Sequence, residues 1–300
     1  MNSPVTTSTN RSPNEWQLKP LTLTTMYDLP SENPEEPGLP NIYHGLQPQV
    51  LDETLSLPQY PANQVFYAFD LNLYYDATQT GWYKRPDWFL CLGVPSLYKG
   101  LVKRSSYVMW EEKVAPTVVI EFLSPGTEAE DLGRFTSKMQ RSKPGKPPAK
   151  FVVYEEILRI PNYIVFDEDT QRLRFFRLVN ERYQEQAIEP SNPRLWVPEL
   201  NLGLGLTTCS VRGVDGDWLR WCDQEGNFYL TPAESYQAEA AQAEVISERQ
   251  AKEAAIAELT QANQQQQQEI VNFLGLGLSP EQISIALEVE ISRVEAVRNS

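Results

Sequence analysis

Three charged residues occupy positions where an unpartnered charge would be costly, and together they could support phosphodiester hydrolysis. Asp87 opens an aromatic and apolar segment, Glu121 lies inside the run Val118-Val-Ile-Glu-Phe-Leu, and Lys150 begins a segment with helical spacing. Hydrolysis with a hard cation needs converging carboxylates that bind the metal through oxygen. It also needs a positive group that orients water or stabilises developing negative charge. These residue types fit that chemistry, provided that the fold brings them together.

Glu121 is the most informative of the three. Burying a carboxylate in so apolar a segment costs free energy unless the charge has a partner. A metal ion and a structural ion pair would both supply one, and the residues alone leave both open. The metal is the favoured interpretation, because perturbed carboxylates concentrate at functional sites.

The elements that must position these residues are strands and helices in alternating order. Aromatic and β-branched runs bounded by Asp, Gly and Pro predict strands near residues 65–69, 71–75, 88–92, 117–123, 163–166 and 173–178. A helix is predicted from Leu46 to Leu57, with Pro48 in its first turn, and another from Phe151 to Ile160. This order predicts an α/β fold, a mixed β-sheet core flanked by helices.

A set of motifs along the middle of the chain adds a second line of argument. In chain order they are Arg85-Pro-Asp87, Val119-Ile-Glu-Phe-Leu-Ser-Pro-Gly-Thr127, Asp131, Lys150-x-x-x-Tyr154 and Ile160-Pro-Asn-Tyr-Ile-Val-Phe-Asp167. Over about residues 41–190 this pattern resembles the Uma-type restriction endonucleases of the PD-(D/E)XK nuclease superfamily. The resemblance implies a restriction-endonuclease-like core with Asp87 and Glu121 as metal-binding carboxylates. It further implies Lys150 as the catalytic lysine and magnesium as the cofactor.

The lysine departs from the superfamily pattern. The superfamily carries it two residues after the acidic residue, but that position here is Leu123, so the lysine has to lie on the following helix, as the Uma-type pattern allows. Lys150 follows from the Lys-x-x-x-Tyr spacing. Lys138 stays an alternative, because the stretch from Asp131 to Lys150 is longer than expected for the family.

That stretch is also the most basic part of an acidic protein. The formal net charge of −14 repels a polyanion, so any contact with DNA has to be local. The stretch could provide such contacts to phosphates, or it could be a solvated loop. From Arg134 to Lys150 it carries no acidic residue, and the basic residues of this part are Arg134, Lys138, Arg141, Lys143, Lys146 and Lys150.

Histidine and cysteine add little chemistry. His44, the single histidine, precedes the first predicted helix, where a hydrogen-bonded structural role is the expectation and a direct catalytic role the alternative. The three cysteines lie far apart and indicate neither a disulfide framework nor a zinc site.

No apolar stretch approaches the roughly 18 to 20 residues of a membrane span, and the polar N-terminus lacks signal-peptide features. We therefore expect a cytoplasmic protein.

The composition changes sharply after Pro232. Residues 233–274 contain no Gly or Pro and are dominated by Ala, Glu and Gln, which predicts a long helix. Its apolar seam is weak, so a homodimeric coiled coil and an isolated helix both stay open. Capping signals at Ser279 and Ser292 then predict two short helices. This pair resembles a small helix-turn-helix, with a packing or dimerisation unit as the alternative.

The sequence thus predicts four regions: a poorly ordered lead segment (1–40), a PD-(D/E)XK nuclease-like domain (41–232), a long helix or coiled coil (233–269) and a two-helix unit (270–300). The first functional hypothesis is a magnesium-dependent endonuclease that hydrolyses phosphodiester bonds of DNA. The alternative is a catalytically inactive nuclease-fold protein that binds or regulates through its C-terminal helices. DNA is the expected partner, with RNA left open, and a homodimer through the long helix is a further expectation.

Overall fold

The computed structural model describes residues 41–124, 126–137, 145–189 and 191–300. The predicted lead segment 1–40 lies outside the described residues, as do Lys138, Arg141 and Lys143 of the basic stretch. The chain divides into two compact units, with the boundary between Tyr229 and Leu230.

The first unit combines short helices with many strands. In chain order these are α1 (Ile42–Thr54), β1 (Val65–Ala68), β2 (Leu73–Tyr74), β3 (Tyr83–Lys84), β4 (Trp88–Leu92), β5 (Tyr107–Val108), α2 (Met109–Glu112), β6 (Val118–Phe122), α3 (Glu128–Asp131), α4 (Lys150–Val152), β7 (Asn162–Asp167), β8 (Arg172–Val179), β9 (Arg182–Gln186), β10 (Arg194–Val197), β11 (Leu202–Val211) and β12 (Val214–Cys222). Helix α4 continues directly into a π-helical turn, Val153–Ile157.

A mixed sheet forms the centre of this unit. Within the described residues it has six strands in the order β1-β4-β6-β7-β8-β9. Strands β6 and β7 are parallel, and the other neighbours are antiparallel. A parallel pair needs a long crossover connection, and the stretch that contains α3 and α4 provides it. Strands β10, β11 and β12 form a separate antiparallel sheet. The predicted α/β fold, a mixed sheet flanked by helices, is confirmed.

Both faces of the central sheet are buried. On one face Trp88 and Ile120 pack against α1 and the sheet of β10 to β12. On the other face Phe89 and Val119 pack beneath α4 and its π-helical turn. Successive side chains of a strand point to opposite faces, so Glu121 lies on the same face as Val119. The strand β6 therefore reads as a continuous apolar run interrupted by one carboxylate.

Helix α1 begins earlier than predicted. Asn41 is its N-cap, and the Asn41 side chain accepts a hydrogen bond from the backbone N–H of His44. Pro48 consequently lies inside the helix and not in its first turn. The apolar pattern that suggested a start at Leu46 missed the first turn, where Tyr43 and His44 are also buried, and the cap decides where the helix begins.

The second unit consists of helices α5 (Pro232–Gly275), α6 (Pro280–Leu287) and α7 (Ile291–Arg298). The long helix continues to Gly275, beyond residue 269. Every side chain from Tyr236 to Gln265 is exposed. No helix in the described ranges has both the length and the apolar character needed to cross a bilayer.

The end of α5 packs with the two short helices. Ile270, Ile283 and Val294 form a small buried core, one residue from each helix. The cap predicted at Ser279 is present as a full capping box. The cap predicted at Ser292 is wrong, because α7 begins at Ile291 and its N-cap, Glu290, makes no side-chain capping hydrogen bond.

Candidate active site

The register of β4 and β6 brings Asp87 and Glu121 together. In this antiparallel pair Trp88 lies opposite Ile120 and Phe89 opposite Val119, so the next pair in the same register is Asp87 opposite Glu121. Side chains directly opposite each other share a face of the sheet. The backbone N–H of Asp87 donates to Oε2 of Glu121 at 3.3 Å. The two carboxyl groups therefore lie side by side at one edge of the pair.

Lys150 reaches the same place from α4. Its Nζ donates to Oε2 of Glu121 at 2.8 Å. Tyr154, one helical turn later, donates its hydroxyl to Oε1 of Glu121 at 2.7 Å. Residues four apart lie on the same side of a helix, which explains the Lys-x-x-x-Tyr spacing. Each oxygen of the fully buried Glu121 thus has a donor from the crossover segment.

The start of α4 is held by Glu130. Its Oε1 accepts from the backbone N–H of Lys150 at 3.0 Å and from Nζ of Lys84 at 2.5 Å. Glu130 belongs to α3 and Lys84 to β3. This carboxylate therefore ties α4 to β3 and keeps Lys150 above the sheet edge.

Asp131 is a third carboxyl group at this place, and the sequence assigned it no role of its own. It is buried, and its Oδ1 lies 3.7 Å from Nζ of Lys150. That oxygen makes no hydrogen bond to any residue in the described part of the chain. Asp131 stood in the family pattern, but nothing in the acidic run Glu128-Ala-Glu-Asp indicated which side chain turns inward.

Burial dominates the electrostatics of these groups. It raises the pKa of Glu121 to about 7, with Lys150 opposing the rise and Asp87 adding to it. It also raises the pKa of Asp131 to about 6 and raises the pKa of Asp87, again against the pull of Lys150. For Lys150 burial acts downward, but Glu121, Asp131 and Asp87 outweigh it and hold its pKa well above the ordinary value. Lys150 is therefore an ammonium group at neutral pH.

The site forms one end of a cavity of about 780 Å³. Asp87, Asp131 and Lys150 line this end. The lining also includes the start of α1, the aromatic Phe69 and Tyr83, and the ion pair of Asp70 with Arg85. The cavity thus combines recessed charged groups with exposed aromatic side chains.

A comparison with protein families assigns the chain to a family. The family model Uma2, described as putative restriction endonuclease, matches residues 22–211. The chain belongs to the Uma2 family. The resemblance stated over residues 41–190 is confirmed, and the match extends beyond it at both ends. A search of curated proteins found no match.

The family match separates the Uma2 core from the rest of the chain. It includes Asp87, Glu121, Asp131 and Lys150 and ends with β11. Helices α5, α6 and α7 lie outside the matched residues. The family therefore accounts for the restriction-endonuclease-like core and leaves the C-terminal unit without a family assignment.

His44 lies against the same cavity of the Uma2 core. Its Nδ1 is 3.0 Å from Oδ1 of Asn41, and its Nε2 is 3.2 Å from the carbonyl oxygen of Phe122. The hydroxyl of Ser124 is also 3.2 Å from Nε2. These contacts join the start of α1 to the end of β6, as expected of a structural histidine.

Arg134, the first residue of the basic stretch, has a structural role. Arg134 donates from both terminal nitrogens to the carboxylate of Glu155, at 2.7 Å each, and to the carbonyl oxygen of Tyr183 at 2.8 Å. Because this side chain has a bidentate partner, it belongs to the fold and not to a phosphate-binding loop. Lys146 is exposed, and the remaining basic residues before Lys150 lie outside the described residues.

The donor set fits a hard divalent cation. Magnesium binds through one or two carboxylates and completes its octahedron with water and substrate phosphate. Asp87 and Glu121 would supply the carboxylates, and the buried Oδ1 of Asp131 is an oxygen to which none of the described residues donates a hydrogen bond. Among the described residues, no three acidic, histidine or cysteine side chains enclose an ion by themselves. Water and phosphate would therefore have to complete the coordination.

Proposed function

We propose that this Uma2 protein is a magnesium-dependent endonuclease that hydrolyses phosphodiester bonds of DNA. The observation that supports this proposal most directly is the convergence of one ammonium and three carboxyl groups at the end of a cavity. At full ionisation these groups carry a net charge of minus two. A divalent cation would offset that charge.

The chain's own residues divide the work as follows. Asp87 and Glu121 hold the metal through oxygen, and Asp131 adds a nearby carboxyl oxygen. When bound, magnesium supplies Lewis-acid polarisation of a phosphoryl oxygen and a more acidic bound water. Lys150 orients the attacking water and stabilises the negative charge that develops on the phosphate. Tyr154 keeps Glu121 oriented through its hydrogen bond to Oε1.

Metal binding is the first test, because it does not need the substrate. Magnesium is titrated into the full chain by calorimetry, with wild type, Glu121→Ala and Glu244→Gln compared. Glu244 is an exposed residue of α5 and serves as the matched control. We expect wild type and Glu244→Gln to bind alike and Glu121→Ala to lose binding. Unchanged binding by Glu121→Ala would show that the metal site is elsewhere.

Cleavage of DNA is the second test, and it decides between the two lysines. Loss of one group that stabilises transition-state charge costs about 10² to 10³ in rate. With both plasmid and single-stranded DNA as substrates in magnesium, we expect Lys150→Met to lose cleavage by that factor and Lys138→Met to retain it. The reverse result would assign the catalytic role to Lys138. If wild type binds magnesium and DNA but cleaves neither DNA nor RNA, the chain is the inactive nuclease-fold binding protein.

Cytoplasmic location and pairing of two chains through α5 also belong to this proposal. Fractionation of cells tests the location, and light scattering on the full chain tests the pairing.

A further inference from the structure

The entrance of the cavity carries two exposed aromatic rings. Phe69 follows β1 and is 45% exposed, and Tyr83 lies in β3 and is 41% exposed. Both line the cavity whose other end holds Asp87 and Lys150. Large aromatic side chains are usually buried, so two of them at the mouth of a charged site indicate a ligand with an apolar face.

The segments that carry the two rings are held in place. The backbone N–H of Asp70 donates to the carbonyl oxygen of Pro86 at 3.0 Å, which ties the turn after β1 to the segment leading into β4. An ion pair between Asp70 and Arg85 at 2.6 Å joins the same two segments. The ring of Tyr83 rests against that of Tyr74, with 5.4 Å between centroids. These contacts therefore hold Phe69 and Tyr83 in place beside the cavity.

The reactive groups are recessed below these two rings. Glu121 is fully buried, Asp131 is 2% exposed and the Lys150 side chain is 20% exposed. The cavity volume of about 780 Å³ is in the range of pockets that enclose small molecules, about 300 to 1,000 Å³. A duplex is far larger, since its major groove alone is about 12 Å wide. By volume, the cavity has room for one nucleotide that has left the base stack and not for a stretch of duplex.

We propose that this cavity binds one unpaired nucleotide of a nucleic-acid strand, with the base stacked on Phe69 and Tyr83 and the adjoining phosphate at Asp87 and Lys150. The inference rests on the proposed function, because that function sets the position of the phosphate. The substrate class is then a single strand, or a duplex that presents an unpaired base. Stacking on aromatic rings tolerates every base, so the cavity selects for strandedness more than for sequence.

The test measures binding and stacking separately from cleavage. A short DNA strand with one 2-aminopurine is prepared as a single strand, as a fully paired duplex, and as a duplex in which the 2-aminopurine is unpaired. Each is titrated with the full chain in calcium, and fluorescence anisotropy and 2-aminopurine emission are recorded. We expect at least tenfold tighter binding of the two unpaired forms, with a change in 2-aminopurine emission on binding. Equal or tighter binding of the paired duplex, or no binding of any form, would overturn the proposal.

Variants identify the rings that stack. Removing a base-stacking ring typically weakens binding about tenfold, so Phe69→Ala with Tyr83→Ala should lose at least that factor on the unpaired forms. Weak binding of the paired duplex should not change. Tyr67→Ala is the matched control, because Tyr67 is 40% exposed and does not line this cavity. Circular dichroism checks that each variant is folded. Unchanged affinity of the folded double variant would overturn the assignment.

The same DNA forms in magnesium keep this inference apart from the proposed function. Preferential binding of unpaired forms without cleavage by wild type would overturn the nuclease and support the binding mode. Cleavage of the paired duplex as fast as the unpaired forms would support the nuclease and overturn the inference.

Discussion

At the scale of single residues, the Uma2 core concentrates carboxyl groups whose ionised forms are disfavoured by burial. Glu121 is stabilised by donors on both oxygens, from Lys150 and from Tyr154. Asp52, on the other face of the sheet, is another carboxyl group whose ionised form is disfavoured by burial. It accepts a hydrogen bond from the indole N–H of Trp88 at 2.7 Å. Burial raises the pKa of Asp52 to about 6, partly opposed by that hydrogen bond.

The raised pKa of Asp52 predicts a pH dependence of stability. A carboxyl group that binds its proton more tightly when folded makes the free energy of unfolding fall as pH rises from the unfolded pKa to the folded pKa. For Asp52 that window runs from 3.8 to about 6. We expect Asp52→Asn, which keeps an oxygen for Trp88, to gain stability relative to wild type across this window and to keep the gain at pH 7.

Urea unfolding in chelator at several pH values measures this difference. Asp169→Asn, at an exposed position, is the control. A stability difference between Asp52→Asn and wild type that stays constant with pH would show that Asp52 titrates alike in the folded and unfolded chains.

At the scale of elements, the crossover between β6 and β7 positions most of the site. It contributes Asp131 from α3, Lys150 from α4 and Tyr154 from the π-helical turn. π-Helical turns are rare and often occur at functional sites. Here the turn places two consecutive buried side chains, with Tyr154 bound to Glu121 and Glu155 bound to Arg134. Tyr154 thereby binds the crossover to β6, and Glu155 joins the last part of the crossover to its first part.

The basic part of the same crossover predicts a salt dependence of DNA binding. Each phosphate contact contributes about −0.9 to the slope of log affinity against log salt on duplex DNA, and about −0.7 on a single strand. We expect the combined change of Arg141, Lys143 and Lys146 to alanine to flatten this slope. Arg134 is left intact, because its loss would leave Glu155 without its bidentate partner.

Binding measured over a series of salt concentrations gives the slope. Replacing Arg249, Lys252 and Arg293 of the C-terminal unit by alanine removes the same charge and serves as the control. An identical slope in wild type and the first triple variant would mean that the basic stretch is a solvated loop.

At the scale of the whole molecule, the two units are built on different principles. The first unit buries a mixed sheet on both faces. The second exposes most of α5 and buries a core only where its end meets α6 and α7. Apolar residues that stay exposed on α5, such as Val245, Ile256 and Leu259, are too sparse to form a continuous seam.

Truncation after Pro232 tests whether the core folds without the C-terminal unit. Because the side chains of α5 from Tyr236 to Gln265 are exposed, we expect the truncated chain to keep the thermal unfolding midpoint of the core. If α5 pairs with a second copy, light scattering should give a dimer for the full chain and a monomer for the truncated one. Loss of soluble truncated protein would show that α5 contributes to the stability of the core. A monomeric full chain would exclude pairing through α5.

Local sequence signals predicted most of the elements and the family. Aromatic and β-branched runs bounded by Asp, Gly and Pro predicted β1, β4, β6, β7 and β8, and the absence of Gly and Pro predicted α5, because these signals depend on residues close together in the chain. Glu121 stood out for the same local reason, as one carboxylate among apolar neighbours. The motif order was enough to indicate the Uma2 family, which the family model then confirmed.

Which charged groups share one environment follows from the packing of distant segments and not from local sequence signals. Asp87 and Glu121 are 34 residues apart in the chain, and their pairing depends on the register of β4 and β6. Register is set by packing across the whole sheet. The inward turn of Asp131 and the engagement of Arg134 by Glu155 depend on where the crossover lies over that sheet. Burial and electrostatic neighbours are properties of contacts between distant segments, so no local pattern could have shown that the basic stretch begins with a structural arginine.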